Sequence, residues 1–310
     1  MPAQTAAAVT FFYALGYPIG NLAVGSMSPM AVLVFRFSLA GALLGVWAAL
    51  ARVQWPRGRK FGHVAVTGLL MQAVQFCCLY LAVERGAPAV LCAVIIAMNP
   101  VATAVLGALF LRDRLGLRRI LALVLGTLAV LAACASRLVH EHGFDPVLVL
   151  LIAALLGLAA GGVYQQRFCA DIDFRASAAV QNVTALVPAV VFAAVTPFAV
   201  HDHVKAGFAV AGVVLLNAGV GLSLYVRAIN LHGAAAVAML FCMIPAVAGV
   251  LSWLMLGERP DIGIAVGLVL GAAACWLNAA ASRKQRQDDP GGDRRGQDRI
   301  DAVHDAAVAR

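Results

Sequence analysis

The 310-residue chain is 62% hydrophobic and 12% charged, and its 23 Lys and Arg against 15 Asp and Glu leave a net charge of +8. Soluble domains carry roughly 25% charged residues, so the composition argues against a soluble enzyme and places the chain in a membrane. About 20 mainly apolar residues cross a hydrocarbon core, and the apolar runs here are continuous, without the two-residue alternation of a barrel strand, so they are read as helices.

Taken in chain order, the predicted spans lie near 6–24, 29–50, 62–83, 89–110 and 118–135, then near 147–166, 176–198, 207–228, 234–256 and 262–281. The fold class is therefore an all-α integral membrane protein of ten transmembrane helices. The first span has no basic flank and no small-residue cleavage pattern, so it is expected to be a retained helix and not a signal peptide. Beyond Ser282 the sequence RKQRQDDPGGDRRGQDRIDAVHDAAVAR is polar with mixed charge, and residues 282–310 are expected to form a disordered tail.

The positive charge does not point to nucleic acid, because it is sorted by loop. Arg52, Arg57, Arg59 and Lys60 follow span two, Arg112, Arg114, Arg118 and Arg119 follow span four, and seven more basic residues occupy the tail. The opposite loops hold Arg85, Arg137, Lys205 and Arg259. That asymmetry predicts cytoplasmic termini in an inner membrane. Six of the seven cysteines (Cys77, Cys78, Cys92, Cys134, Cys242, Cys275) fall in apolar spans and Cys169 at a helix end; without a CxxC or a Cys/His cluster they read as small hydrophobes.

An internal repeat organises the chain. At an offset of 145 residues Lys60 meets Lys205, Gly62 meets Gly207, Tyr80 meets Tyr225, Met98 meets Met243, Pro100 meets Pro245, Arg114 meets Arg259 and Gly126 meets Gly271, while Asp113 falls on Glu258 and Gly16 on Gly161. Residues 1–136 and 146–281 thus form two five-helix units. Five is odd, so the second unit must enter the membrane from the other side, and the basic loop RDRLGLRR against GERPDIGI agrees. Inverted repeats are a known route to alternating access, which makes a transporter the leading class.

The stretch YLAVERGAPAVLCAVIIAMNPVATAVLGALFLRDRLGLRRILALVLGTLAV and its echo YVRAINLHGAAAVAMLFCMIPAVAGVLSWLMLGERPDIGIAVGLVLGAAA resemble the paired EamA-type domains of the drug/metabolite transporter superfamily. The features that carry the resemblance are a small-residue lead-in to the fourth helix, a mid-helix proline, a carboxylate after that helix and a glycine-rich fifth helix. Asp113 stands where the family usually has glutamate, and the first helix lacks the family's frequent tryptophan. The resemblance implies ten helices and export or exchange of amino acids, related metabolites or toxic compounds.

Polar residues at mid-membrane are costly and ask for a reason. Gln72 and Asn217 are repeat mates ten residues into spans three and eight, Gln75 follows Gln72 by almost a turn, and Asn99 precedes Pro100 midway along span four. Amides both donate and accept, which suits a neutral or zwitterionic solute, although helix-to-helix hydrogen bonding would use them equally well. Arg36 lies well inside span two, able either to snorkel outward or to hold a carboxylate. Pro100 and Pro245 each remove a helical hydrogen bond and are read as hinges, with a static kink as the alternative. Tyr17, Tyr80, Tyr164, Tyr225 and Glu84 are candidate pathway residues, and Trp47, Trp253 and Trp276 interfacial anchors.

Two other classes compete. An intramembrane protease would need the Gly221–Leu224 sequence GLSL and His232 to act together, but the motif lacks its second glycine; a channel would show flux without exchange. His140–His142 and His201–His203 lack the HExxH spacing of a zinc site. No catalytic residue, metal or cofactor is expected. The expected partners are a small-molecule solute and the lipid bilayer, with no nucleic acid, and a homodimer is compatible with the fold.

Overall fold

The computed structural model describes residues 3–111 and 146–257, together with helical positions 121, 124, 125, 128, 265, 266, 269, 270, 272, 273 and 276. The predicted spans 118–135 and 262–281, the tail, Asp113, Glu258 and the His140–His142 cluster lie wholly or largely outside them.

The described chain is helical. Helix α1 (Ala3–Ser26) and α2 (Pro29–Leu50) are followed by α3 (Arg59–Gly68), a π-helical segment Leu69–Val74 and α4 (Gln75–Glu84), which run on as one rod. Then come α5 (Ala89–Ile96), α6 (Asn99–Leu111), α7 (Pro146–Phe168) and α8 (Phe174–Val195). A second rod comprises α9 (His203–Gly212), the π-helical segment Val213–Leu222 and α10 (Ser223–His232). Last are α11 (Ala234–Ala238), a 3₁₀ turn Met239–Cys242 and α12 (Ile244–Leu256).

Seven described stretches are long and apolar enough to cross a membrane: Gln4–Ser26, Pro29–Leu50, Arg59–Glu84, Leu91–Phe110, Pro146–Phe168, Phe174–Val195 and His203–His232. The third and eighth spans reach further than hydropathy alone predicted, because their basic ends stay helical. Lys60 is held there by an ion pair with Asp171. The ninth span is interrupted, leaving Ile244–Leu256 as a shorter apolar helix.

Lipid explains the surface. Phe35, Leu39, Leu43 and Val46 on α2, and Val183, Val187, Val190 and Val191 on α8, are exposed, while Gln165, Gln181, Asn182, Gln72, Gln75 and Arg36 are buried. With hydrocarbon outside, apolar groups have no need to hide, whereas backbone and polar groups must find partners within the protein.

The 145-residue offset reappears as architecture. Both π segments, both breaks near Met98 and Met243, and the helix pairs α2/α8 and α6/α12 fall in register. Packing is reciprocal as well: α1 lies on the second π segment and on α12, and α7 lies on the first π segment and on α6, with α2 against α8 between them. Patch i of one half against patch j of the other, and j against i, is the pattern that a twofold between the halves would give.

Helix α8 begins at a built N-cap. The Asp173 carboxylate accepts from the Arg175 backbone N–H at 2.9 Å and from its guanidinium at 2.9 and 3.0 Å. Partial burial pushes the Asp173 carboxyl up, but the hydrogen bonds and charge of Arg175 outweigh it and hold the carboxyl below its ordinary value. Asp173→Ala should cost about 1 kcal/mol, as cap deletions do. The carboxyl is depressed in the folded state, so its contribution is full above the unfolded value of about 3.9 and is lost as pH falls through the folded one. Thermal unfolding in detergent should therefore separate native and variant protein at neutral pH and bring them together in acid.

Candidate functional site

Six of the predicted site residues, Arg36, Tyr80, Gln75, Tyr17, Tyr225 and Asn99, converge with Tyr13 and Phe76 in the interior. Arg36 is 2% exposed. Its guanidinium carbon lies 3.5 Å from the Phe76 ring centroid and 5.9 Å from that of Phe37, and its ionisable neighbours are Tyr80 and Tyr13. No acid is among them. The ion pairs of the described residues join Lys60 with Asp171, Arg175 with Asp173 and Lys205 with Asp202, so none involves Arg36. Arg36 Nε has no partner within the protein. A desolvated cation–π contact contributes about 2 kcal/mol, against a burial cost of several kcal/mol per ion, so Phe76 does not compensate this cation.

Gln75 Nε2 donates to Tyr13 Oη at 3.4 Å. Gln75 Oε1, Gln72 Oε1 and Tyr17 Oη are buried without a partner among the described residues, whereas the Tyr80 hydroxyl faces the Arg36 guanidinium. Tyr17 adjoins Tyr13, Cys92 and Tyr225. Asn99, at the start of α6, accepts from Thr103 Oγ1 at 3.2 Å and lies beside the Tyr225 hydroxyl. Tyr13, Tyr225 and Phe241 form a ring cluster with centroids 4.9 to 5.8 Å apart, joining α1, α10 and the 3₁₀ turn. The buried row thus runs from Arg36 and Tyr80 through Gln75 and Tyr13 to Tyr225 and Asn99.

Other candidates stand apart. Tyr164 Oη lies 2.8 Å from His63 Nδ1, and both rings pack on Phe168. Glu84 is exposed at the end of α4. Asn217 turns to the helix backbone: its Nδ2 donates to the Phe12 carbonyl at 3.3 Å. It can do so because Gly16 has no side chain; a Cβ there would stand 2.3 Å from Asn217 Nδ2. Gly16→Ala should therefore expel the amide and lower stability by about 1 to 3 kcal/mol. Gly16→Ala/Asn217→Ala should regain most of this in thermal unfolding, and a double variant no better than the single one would refute the contact.

Pro100 and Pro245 occupy a different setting from a bend in a continuous helix. Each is the second residue of a new half-helix, α6 or α12, after a break at Ala97–Met98 or Met239–Met243. Proline is tolerated in a first turn, where its missing N–H would lack an intrahelical acceptor anyway.

Sequence reasoning missed a second polar cluster. Gln165 Nε2 donates to Asn230 Oδ1 at 3.0 Å and to the Cys169 carbonyl at 3.3 Å; its Oε1 accepts from Gln181 Nε2 at 3.1 Å and Ser177 Oγ at 3.4 Å; Asn230 Nδ2 donates to the Ile172 carbonyl. The signal was legible, since Gln181 interrupts an apolar run just as Gln72 does. The protease reading gains nothing from Ser223 and His232, which are the two ends of one ten-residue helix, about 13 Å apart along its axis.

The profile of the EamA-like transporter family matches residues 3–134 and 146–280, nearly the whole chain and in two copies. The chain belongs to the EamA-like transporter family. Membership in this family, with seven stretches long and apolar enough to cross a membrane, fits a multi-pass membrane protein of the drug/metabolite transporter superfamily. This EamA-like chain is 23% identical over 146 residues to a protein of Archaeoglobus fulgidus described as an uncharacterized transporter, a match over 47% of this chain and 51% of that protein. The alignment therefore spans about half the length of the curated relative. A solved crystal structure described simply as that of a protein superposes with a TM-score of 0.67 at 15% identity, covering 92% of this chain and 99% of the other, which shows a shared fold.

Proposed function

We propose that this EamA-like protein is an inner-membrane secondary transporter that exports or exchanges a small metabolite or drug-like solute by alternating access. On this reading ten spans form two inverted units, 1–136 and 146–281, both termini are cytoplasmic, and 282–310 is a cytoplasmic tail. The carrying observation is the reciprocal packing of α1 on the second π segment and α7 on the first, because two equivalent packings that can exchange are what alternating access needs. Arg36, Gln72, Gln75 and Asn99 contact solute, Asn217 positions α1, and Pro100 and Pro245 mark the joints.

Purified protein in liposomes should take up solute from a panel of amino acids, nucleobases, sugars, acids and cationic dyes, saturably and with exchange. Linear flux without exchange would indicate a channel. Gln72→Leu should reduce flux at least tenfold while leaving expression intact; normal flux would remove the amide from the site. Fusions after residue 282 should be active with a cytoplasmic reporter, and periplasmic activity there would overturn the topology.

A further inference from the structure

We infer that the Arg36 guanidinium is the docking point for a solute whose charged group is a single carboxylate on an apolar, aromatic-compatible body. This deepens the transport reading and rests on it only for what crosses the membrane.

Among the described buried residues Arg36 is the sole charged one. A buried cation is kept charged and stable by an anion, and none of the described residues places one beside it; the surrounding groups are rings and neutral hydroxyls. The guanidinium fork matches a carboxylate in plane and spacing. The lack of a second buried cation among the described residues disfavours a dianion such as a phosphate monoester, and with no acid buried among them an amine-only cation finds no counter-charge. Phe76, Tyr13 and Tyr80 supply the wall for the solute's body.

The second repeat provides the internal control. At the 145-residue offset Arg36 becomes Gln181 and Gly20 becomes Gln165. There the two amides bond each other, and Gln181 also bonds Ser177. The same place in the fold is thus occupied by neutral side chains, although Gln181 Oε1 has no partner. In the first repeat a cation replaces one amide, and glycine replaces the other. The space beside Gly20 is met by the Tyr80 hydroxyl, 3.2 Å from where a Cβ would sit. Packing alone does not require an arginine here.

The test uses phenylacetate and phenylacetamide, which share shape and differ in charge, read as ligand-induced shifts in the thermal unfolding of the full-length protein in detergent. Phenylacetate should bind at least tenfold more tightly than the amide. Arg36→Gln should abolish that preference without weakening the amide. Arg36→Lys should retain the preference but lose about tenfold in acid affinity; this variant decides if Arg36→Gln does not fold. No binding of the acid, equal binding of both probes, or an acid affinity unchanged in either variant overturns the inference. Counterflow in liposomes separates the two readings. Arg36-dependent binding with no flux of any solute sinks transport and leaves the anion site; saturable flux of neutral or cationic solutes that Arg36→Gln leaves intact, with no acid bound, does the reverse.

Discussion

Gly68→Val should be the most destabilising single substitution in the third span. Gly68 closes α3 where it crosses α8, and a Cβ there would stand 2.4 Å from Thr184 Oγ1, 2.7 Å from Gln181 Cα and 2.8 Å from the Gln181 carbonyl oxygen. Two of these are backbone atoms that no rotamer change can move. Relief requires the helices to separate, which loosens the Gln181 hydrogen bonds to Gln165 and Ser177. Overpacking of this kind costs about 1 to 3 kcal/mol and occasionally more, against which the gain in helix propensity over glycine is at most about 1 kcal/mol. Gly62, in the same helix, has nothing within 4 Å of its Cβ position. There only the propensity gain applies, so Gly62→Ala should raise the unfolding temperature slightly while Gly68→Val lowers it by many degrees. Equal responses at the two glycines would reject the close crossing.

The second large effect is conformational. Replacing Pro100 or Pro245 by alanine restores an N–H that can bond the carbonyl four residues back, across the break. One hydrogen bond contributes about 1 kcal/mol net, enough to shift an equilibrium between broken and continuous forms on the order of fivefold. Because the two breaks occupy equivalent places in units proposed to be inverted, the two variants should shift accessibility in opposite directions. Labelling of Gln72→Cys and Asn217→Cys from each membrane face, in a background lacking native cysteines, measures this. Parallel shifts would keep the joints and reject the inversion; unchanged labelling in both would leave the breaks as fixed features of packing.

Much of this was legible in the sequence for a plain reason: continuous apolar runs, prolines and isolated polar residues are local signals. The limits of α2 and α8 differ by the same offset that aligns Tyr80 with Tyr225. The π segments were not legible, since widening a helix by a residue per turn leaves the run apolar. Nor were the breaks, which look like kinked helices until the hydrogen bonds at Met98 and Met243 are followed. The fate of Asn217 was hidden for another cause. Its partner is Phe12, 205 residues away, brought close by Gly16, and no window of sequence contains both. Arg36 was seen as a choice between snorkelling and holding an anion; its 2% exposure and its seat on Phe76 argue against the first.

Consider finally the turn between α1 and α2. Ser28 N donates to the Ala199 carbonyl, Ala199 N to Ser28 Oγ, and both His201 N and Asp202 N to the Ser26 carbonyl. These backbone groups are completed only by chain made much later, and α2 likewise finds its main neighbour in α8. A ribosome adding roughly 5 to 20 residues per second leaves the first unit waiting about ten seconds or more for these partners. During that interval Arg36, Gln72 and Gln75 face a bilayer or a helper protein instead of the finished interior. The first unit is therefore the part whose survival during synthesis depends most on how quickly the second arrives, and slow translation between Pro146 and Asp202 should reduce yield more than slow translation after Gly257.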